Sequence, residues 1–319
     1  MPTGPTDVIE EALAVLCARY VFPDKAVKAA EAIRARRDAG VYRDLSVAAL
    51  AVQLTADLFE SCADRHLRIR VRDAEAAETT EADLAAARRE QVRLANHGIS
   101  RVERLDGNIG YLDLRLIPDA GTGGRAIAAA MELVAQTHAL IVDLRRNRGG
   151  SPNGVIFWTS YLFPDDQTLL NSIHDRETGE TRQYWSLAHL PGERYLDRPV
   201  LVLTSGATFS GGEEFCYNLK ARGRATLIGE TTRGGAHPTR VVPLGPTLEI
   251  AVPDARSVNP VTGTNWEGTG VEPDVAVPAE QAYEVAYGRA LRHVLTTGSS
   301  AGVLAEVRAA LAALPDAAG

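Results

Sequence analysis

The stretch Val200-Leu-Val-Leu-Thr-Ser-Gly-Ala-Thr-Phe-Ser-Gly-Gly-Glu-Glu-Phe215 opens with an apolar, β-branched run that reads as a buried strand. The run breaks at Ser205-Gly206, and helix-forming residues follow Ser210 through Lys220. Ser210 therefore sits at the N-terminal end of a helix, followed by two glycines with unencumbered backbone N–H groups. Negative charge is favoured at such a place. A serine there also suits helix capping, so this stretch alone leaves both readings open.

Outward from it, the same alternation continues. Apolar strands are expected at 109–115, 139–144, 199–204, 225–229 and 247–252, and helices near 124–137, 152–163 and 211–222. Strands separated by helical patterns imply an α/β domain with substantial parallel pairing. Residues 7–62 read differently. Asp7 and Glu10 resemble a capping pair, Pro23-Asp24 opens a second helix that Gly40 ends, and Ser46 caps a third. Leu50, Leu54 and Leu58 fall on one face of that third helix. The expected organisation is a three-helix bundle over 1–66, a strand and helical linker over 67–107, an α/β domain over 108–298 and an Ala-rich helix or tail over 299–319.

The chain has 319 residues, 45% of them hydrophobic and 24% charged, as in ordinary globular proteins. A net charge of −7 argues against sequence-independent nucleic-acid binding. Cys17, Cys62 and Cys216 are far apart and form no metal-type spacing. No apolar run approaches the roughly 18 residues of a membrane span, and the N-terminus lacks the basic and apolar regions of a signal peptide. A cytoplasmic protein is the expectation, with oligomeric state open.

Four further segments carry candidate chemistry. Ala139-Leu-Ile-Val-Asp-Leu-Arg-Arg-Asn-Arg-Gly149-Gly150 ends a strand in a glycine turn, where Gly149 or Gly150 could offer an N–H to an oxyanion. His66 lies between the helical bundle and the first strand, and its ordinary pKa suits general-base work. Glu267, beside Trp266 in a loop broken by glycine and proline, could orient a histidine. Gly229-Glu-Thr-Thr-Arg-Gly-Gly-Ala-His237 is a second glycine-rich loop without Walker spacing, so nucleotide binding is not expected.

Together these motifs resemble the tail-specific, carboxyl-terminal-processing serine peptidases, in the branch holding the tricorn protease core and the repeats of interphotoreceptor retinoid-binding protein. The segments that carry the likeness are Tyr20-Val-Phe-Pro-Asp-Lys, Gly40-Val-Tyr, Asp64-Arg-His66-Leu, Asn108-Ile-Gly-Tyr, Asp143-Leu-Arg-Arg-Asn-Arg-Gly-Gly, Thr208-Phe-Ser210-Gly-Gly-Glu, Gly229-Glu-Thr-Thr-Arg-Gly-Gly-Ala-His-Pro and Gly270-Val-Glu-Pro-Asp. The resemblance implies a crotonase-like domain of stacked ββα units after the helical bundle. It puts Ser210 on the family nucleophile, His66 on the base of the tricorn branch and Glu267 on its carboxylate. Gly211 with Gly149 or Gly150 falls on the oxyanion hole. The lysine of the family's Ser-Lys members corresponds to Gly235, and His237, two residues on, is the alternative base. Arg65 stands where the tricorn pattern has a serine.

The implied activity is hydrolysis of peptides or unfolded segments, with no metal or organic cofactor. The other reading is a non-catalytic protein that binds a retinoid-like or fatty-acid-like molecule on the same scaffold. Residues 72–108 are too few for the PDZ module that family members often carry, so tail recognition would fall to the cleft itself.

Overall fold

A computed structural model describes residues 5–72 and 81–314. In chain order the elements are α1 (Pro5–Arg19), α2 (Pro23–Asp38), α3 (Val47–Cys62), β1 (Arg68–Val71), α4 (Glu81–Leu94), β2 (Ile99–Leu105), β3 (Ile109–Leu114), α5 (Ala120–Val134), β4 (Ala139–Asp143), α6 (Pro152–Ser160), β5 (Leu169–Asp175) and β6 (Thr181–Trp185). They continue as β7 (Val200–Thr204), α7 (Gly211–Ala221), β8 (Thr226–Gly229), β9 (Thr239–Leu244), β10 (Leu248–Pro253), β11 (Ala255–Val258), β12 (Val275–Ala276), α8 (Ala282–Thr297) and α9 (Ala301–Ala313). Residues 73–80 of the expected helical linker lie outside the described residues; α4 forms its helix from Glu81 to Leu94.

The chain is mixed α/β and divides into two compact units. The first comprises residues up to Arg88 together with Ser172–Arg182 and Gly235–Val258. Its helices form for the reasons the sequence states. Pro23 opens α2, the Ser46 hydroxyl accepts the Ala49 N–H to cap α3, and Ala63 in the left-handed region ends α3. Leu13, Leu16, Tyr20, Ile33, Leu54 and Leu58 form one core with Ile69, Leu248, Ile250 and Val252. The strand expected at 247–252 is thus not part of the large sheet. It is β10, paired antiparallel between β1 and β9, with Ile69 opposite Ile250. The reason is that Leu248, Ile250 and Val252, on one face of β10, complete the apolar core of the helices together with Ile69 of β1, whose neighbour Arg70 stays exposed. In the same unit β11 pairs antiparallel with β5.

The second unit comprises Arg89–Asn171, Gln183–Gly234 and the residues from Asn259 onward. Its sheet has the order β12-β8-β7-β4-β3-β2, parallel throughout except for β2 on β3. β3, β4 and β7 are buried at every position, as strands covered on both faces must be. Tyr111, Ile141, Leu201 and Leu203 pack on one face with Ala286, Ala290 and Leu291 of α8. Val307 of α9 is fully buried in that core, and the Ala-rich C-terminal segment forms a helix through Ala313 that packs on α8. By strand alternation Leu112, Leu140, Val142 and Val202 face the opposite layer, where α5 and α7 pack on β3 and β8.

At the end of β4, Asp143 accepts the Tyr111 hydroxyl at 2.7 Å and the Arg145 guanidinium at 2.6 Å. Burial pushes its carboxyl up, but the Arg145 and Tyr111 hydrogen bonds outweigh this and hold it below the ordinary carboxylate value. Its stabilising effect is therefore complete above the unfolded pKa of about 4 and is lost as pH falls through the lower folded value. Asp143→Ala is expected to cost about 3 kcal/mol at neutral pH. Melts of wild type and variant should converge as pH drops below about 4.

Candidate active site

Ser210 is held from three directions within the second unit. The loop after β7 is laced to the loop after β4. Ser205 Oγ donates to the Arg145 carbonyl at 2.6 Å, Thr208 Oγ1 to the Leu144 carbonyl at 2.8 Å, and the Phe209 N–H to the Asn147 carbonyl at 3.1 Å. Ser210 itself adopts φ +52°, ψ −120°, a conformation costing a non-glycine residue about 1–3 kcal/mol. What holds it there is Glu213, fully buried one turn into α7. Its carboxylate accepts the Ser210 N–H at 2.8 Å, the Thr232 hydroxyl at 2.5 Å and the Gly234 N–H at 2.6 Å. The Glu213 N–H, which a capping hydroxyl would take, bonds the Ser210 carbonyl at 2.8 Å.

The glycine pair after β4 lies against this turn. A Cβ on Gly149 would come within 2.7 Å of Ser210 Cβ, and one on Gly150 within 1.8 Å of the Ile117 carbonyl oxygen. Both positions have positive φ, so glycine is required there on two counts. The two amides differ in use. The Gly149 N–H is taken by Asn147 Oδ1 at 2.8 Å, while Asn147 Nδ2 anchors to the Leu114 carbonyl at 2.8 Å. Among the described residues, the Gly150 and Gly211 amides donate to no protein acceptor. They are close together, since a Cβ on Gly211 would meet the Gly150 nitrogen at 2.9 Å. Two adjacent unspent N–H groups beside a serine hydroxyl can receive a developing oxyanion.

Glu267 belongs to the same unit. Its N–H bonds Asn265 Oδ1 at 2.9 Å, and the neighbouring Trp266 is buried against the Tyr217 ring, 5.2 Å between centroids. The Gly268 N–H donates to the Gly234 carbonyl at 3.2 Å, and the Val271 N–H to Thr232 Oγ1 at 2.8 Å. Through Thr232 and Gly234 the Glu267 loop is thus joined to Glu213 and the Ser210 turn.

His66 and His237 belong to the first unit, and there they gather on one carboxylate. Asp64, 1% exposed, accepts the His66 backbone N–H at 3.0 Å and pairs with His237 Nδ1 at 2.7 Å. The Tyr20 hydroxyl donates to it at 3.2 Å. Burial raises the Asp64 carboxyl, but the His237 bond and charge and the His66 N–H together bring it below its ordinary value. An ionised carboxylate only accepts, so His237 Nδ1 carries a proton toward it. The Phe22 ring meets the His237 ring edge-on at 5.4 Å.

The roles of Asp64, Asn147 and Glu213 were not anticipated. Two had a readable signal. Ser210-Gly-Gly-Glu213 is the serine-to-glutamate spacing of a capping box, and Asn147-Arg-Gly149 is a side chain reaching a backbone N–H two residues on.

Residues 108–277 match Peptidase family S41, and residues 3–97 match the N-terminal domain of Peptidase S41 in eukaryotic IRBP. The chain belongs to peptidase family S41. It is 26% identical over 189 residues to the carboxy-terminal-processing protease of Bartonella bacilliformis, covering 57% of this chain and 42% of that protein. To the tricorn protease of Thermoplasma volcanium it is 29% identical over 179 residues, 55% of this chain and 16% of the other. The chain thus spans less than half the length of these curated relatives. A candidate peptidase structure from Parabacteroides merdae has the same fold, with TM-score 0.64 at 18% identity over 93% of this chain and all of the other.

Replacing Glu213 tests the support of the serine turn. Glu213→Ala leaves three donors without their acceptor and is expected to cost about 3 kcal/mol or more in chemical denaturation. Thr232→Val removes one of these donors and also the acceptor of the Val271 N–H, and should cost about 2 kcal/mol, less than Glu213→Ala.

Proposed function

We propose that the chain is a serine peptidase acting on peptides or unfolded segments, with Ser210 as nucleophile. The observation that carries this reading is the strained Ser210 backbone beside the two unspent amides of Gly150 and Gly211. A merely capping serine has no use for a left-handed φ, whereas an exposed nucleophile at a strand-to-helix turn does.

In the proposed reaction an imidazole takes the Ser210 proton as Oγ attacks the peptide carbonyl. The carbonyl oxygen, now anionic, receives the Gly150 and Gly211 N–H groups, each typically worth about 3 kcal/mol in such sites. The imidazolium then protonates the departing amine, and water attacks the acyl-serine by the reverse use of the same groups. Of the glycine pair, Gly150 is assigned to the oxyanion because the Gly149 N–H is already taken by Asn147.

His66 is the proposed base, with Glu267 fixing the charged ring, on the strength of the motif order that family S41 membership supports. A second assignment has its own observation: the 2.7 Å bond between Asp64 and His237 Nδ1 is the carboxylate–imidazole pairing that orients a catalytic histidine.

Active-site labelling with a neutral fluorophosphonate tests both assignments. Wild type should label and Ser210→Ala should not; labelling that survives in Ser210→Ala sinks the nucleophile assignment. His66→Ala is expected to slow labelling by about 10³-fold or more, with His237→Ala losing far less. The reverse order would make His237 the base and His66 its neighbour.

A further inference from the structure

The amino ends of the parallel strands, away from the Ser210 turn, carry a hydrogen-bond network whose protons can be placed one by one. Asn108 ends the β2–β3 turn, His138 directly precedes β4, and Ser299 lies between α8 and α9. Arg104 Nε meets one amide atom of Asn108 at 3.1 Å, and a guanidinium only donates, so that atom is Oδ1. The other, Nδ2, donates to the Gln136 carbonyl at 2.9 Å and also faces His138 Nδ1 at 2.7 Å. Nδ1 is therefore the unprotonated nitrogen. Nε2 carries the proton of the neutral ring and donates it to Ser299 Oγ at 2.9 Å.

A second proton has no place in this arrangement. On Nδ1 it would point at the Asn108 NH₂ group, donor against donor. Basic side chains also face the ring from three sides: Arg104 of β2, Arg198 ahead of β7 and His293 of α8. Glu306 of α9 is spent on the Arg104 guanidinium and the Gly107 N–H, at 2.8 and 2.9 Å. Burial first, then the charges of Arg198, His293 and Arg104, hold the His138 imidazole below its ordinary value.

The network bears on α9 because that helix has few other anchors. Among its described residues only Val307 is buried, and it rests on the turn that Asn108 ends: a Cβ on Gly107 would come within 2.9 Å of Val307 Cγ2. The His138 backbone N–H donates to the Asn108 carbonyl at 2.8 Å, so backbone and ring fix the same turn. Elements with few buried contacts open locally at low cost. We infer that His138 is an acid-sensitive latch: its neutral ring ties Ser299 to the Asn108 turn and keeps α9 docked, and its protonation releases α9. The latch is independent of the peptidase chemistry, which lies at the other end of the strands. A released ring titrates near the ordinary histidine value of about 6.5. The latch is therefore fully closed above that pH, weakens as pH falls through it, and weakens no further below the lower value of the docked ring.

Hydrogen exchange of the full chain, corrected for the intrinsic pH dependence of exchange, tests this. From about pH 7.5 to about pH 5.5 the α9 amides should lose protection about fivefold or more, with β3 and β4 unchanged. His138→Gln keeps an N–H for Ser299 and cannot gain a charge, so its α9 protection should be the same at both pH values. His293→Gln should still show the loss, because that ring only adds to the repulsion. Long-range proton–nitrogen NMR spectra of wild type give a readout that needs no variant: His138 Nδ1 should be unprotonated at the higher pH. A protonated Nδ1 there, α9 protection that holds as pH falls in wild type, or a loss that persists in His138→Gln overturns the inference. So does a loss that vanishes in His293→Gln, or one shared equally by β3 and β4, which would mean global unfolding and not release of one helix.

Discussion

A carboxylate sealed from water must find all its donors in the protein, and Glu213 finds three that belong to two different loops. That requirement organises the second unit around Ser210. The Ser210 N–H is one donor, which pins the serine in a backbone conformation it would otherwise leave. Thr232 and Gly234 are the others, and they draw in the loop that follows β8. The loop bearing Glu267 rests in turn on Thr232 and Gly234. Asn147 plays the matching part on the other side, spending its amide oxygen on Gly149 and its NH₂ on Leu114, so that of the two glycine amides only that of Gly150 has no protein acceptor among the described residues. An interior network of this kind works only when every member is satisfied.

The first unit meets a different need with the same device. Asp64 is as deeply buried as Glu213, and two histidines and Tyr20 converge on it. A carboxylate kept ionised by its neighbours keeps the facing imidazole nitrogen protonated, which fixes the tautomer before any substrate arrives. Each unit thus has a buried acid that orients a group.

Much of this was legible in the chain. The strand-to-helix run ending at Ser210, the Ser46 cap, Pro23 at the start of α2 and the leucines at every fourth position of α3 all behave as local rules require. Gly149 and Gly150 could be picked out as a functional turn because strand ends and glycine coincide there. What stayed hidden is non-local. The segment 247–252 has the apolar content of a core strand of the large sheet, and only pairing with β1, some 180 residues earlier, assigns it elsewhere. The split between Gly149 and Gly150 depends on where one Asn147 amide oxygen points. The pairing of His237 with Asp64, which also takes the His66 N–H, joins residues 173 positions apart. Periodicity carries no information about such pairs, whereas the order of several motifs along the chain carried the family.

The first unit is assembled from three separated stretches, and this bears on how such proteins can be taken apart or recombined. The family match to the N-terminal domain stops at residue 97, but β1 needs β10, and the helices bury Leu244, Leu248, Ile250 and Val252. A fragment cut there would carry an uncovered apolar surface and an unpaired strand edge, the two features that promote aggregation. The boundary found by homology is therefore not a boundary of independent folding. Grafting this helical region between relatives requires that the β9–β10 hairpin travel with it.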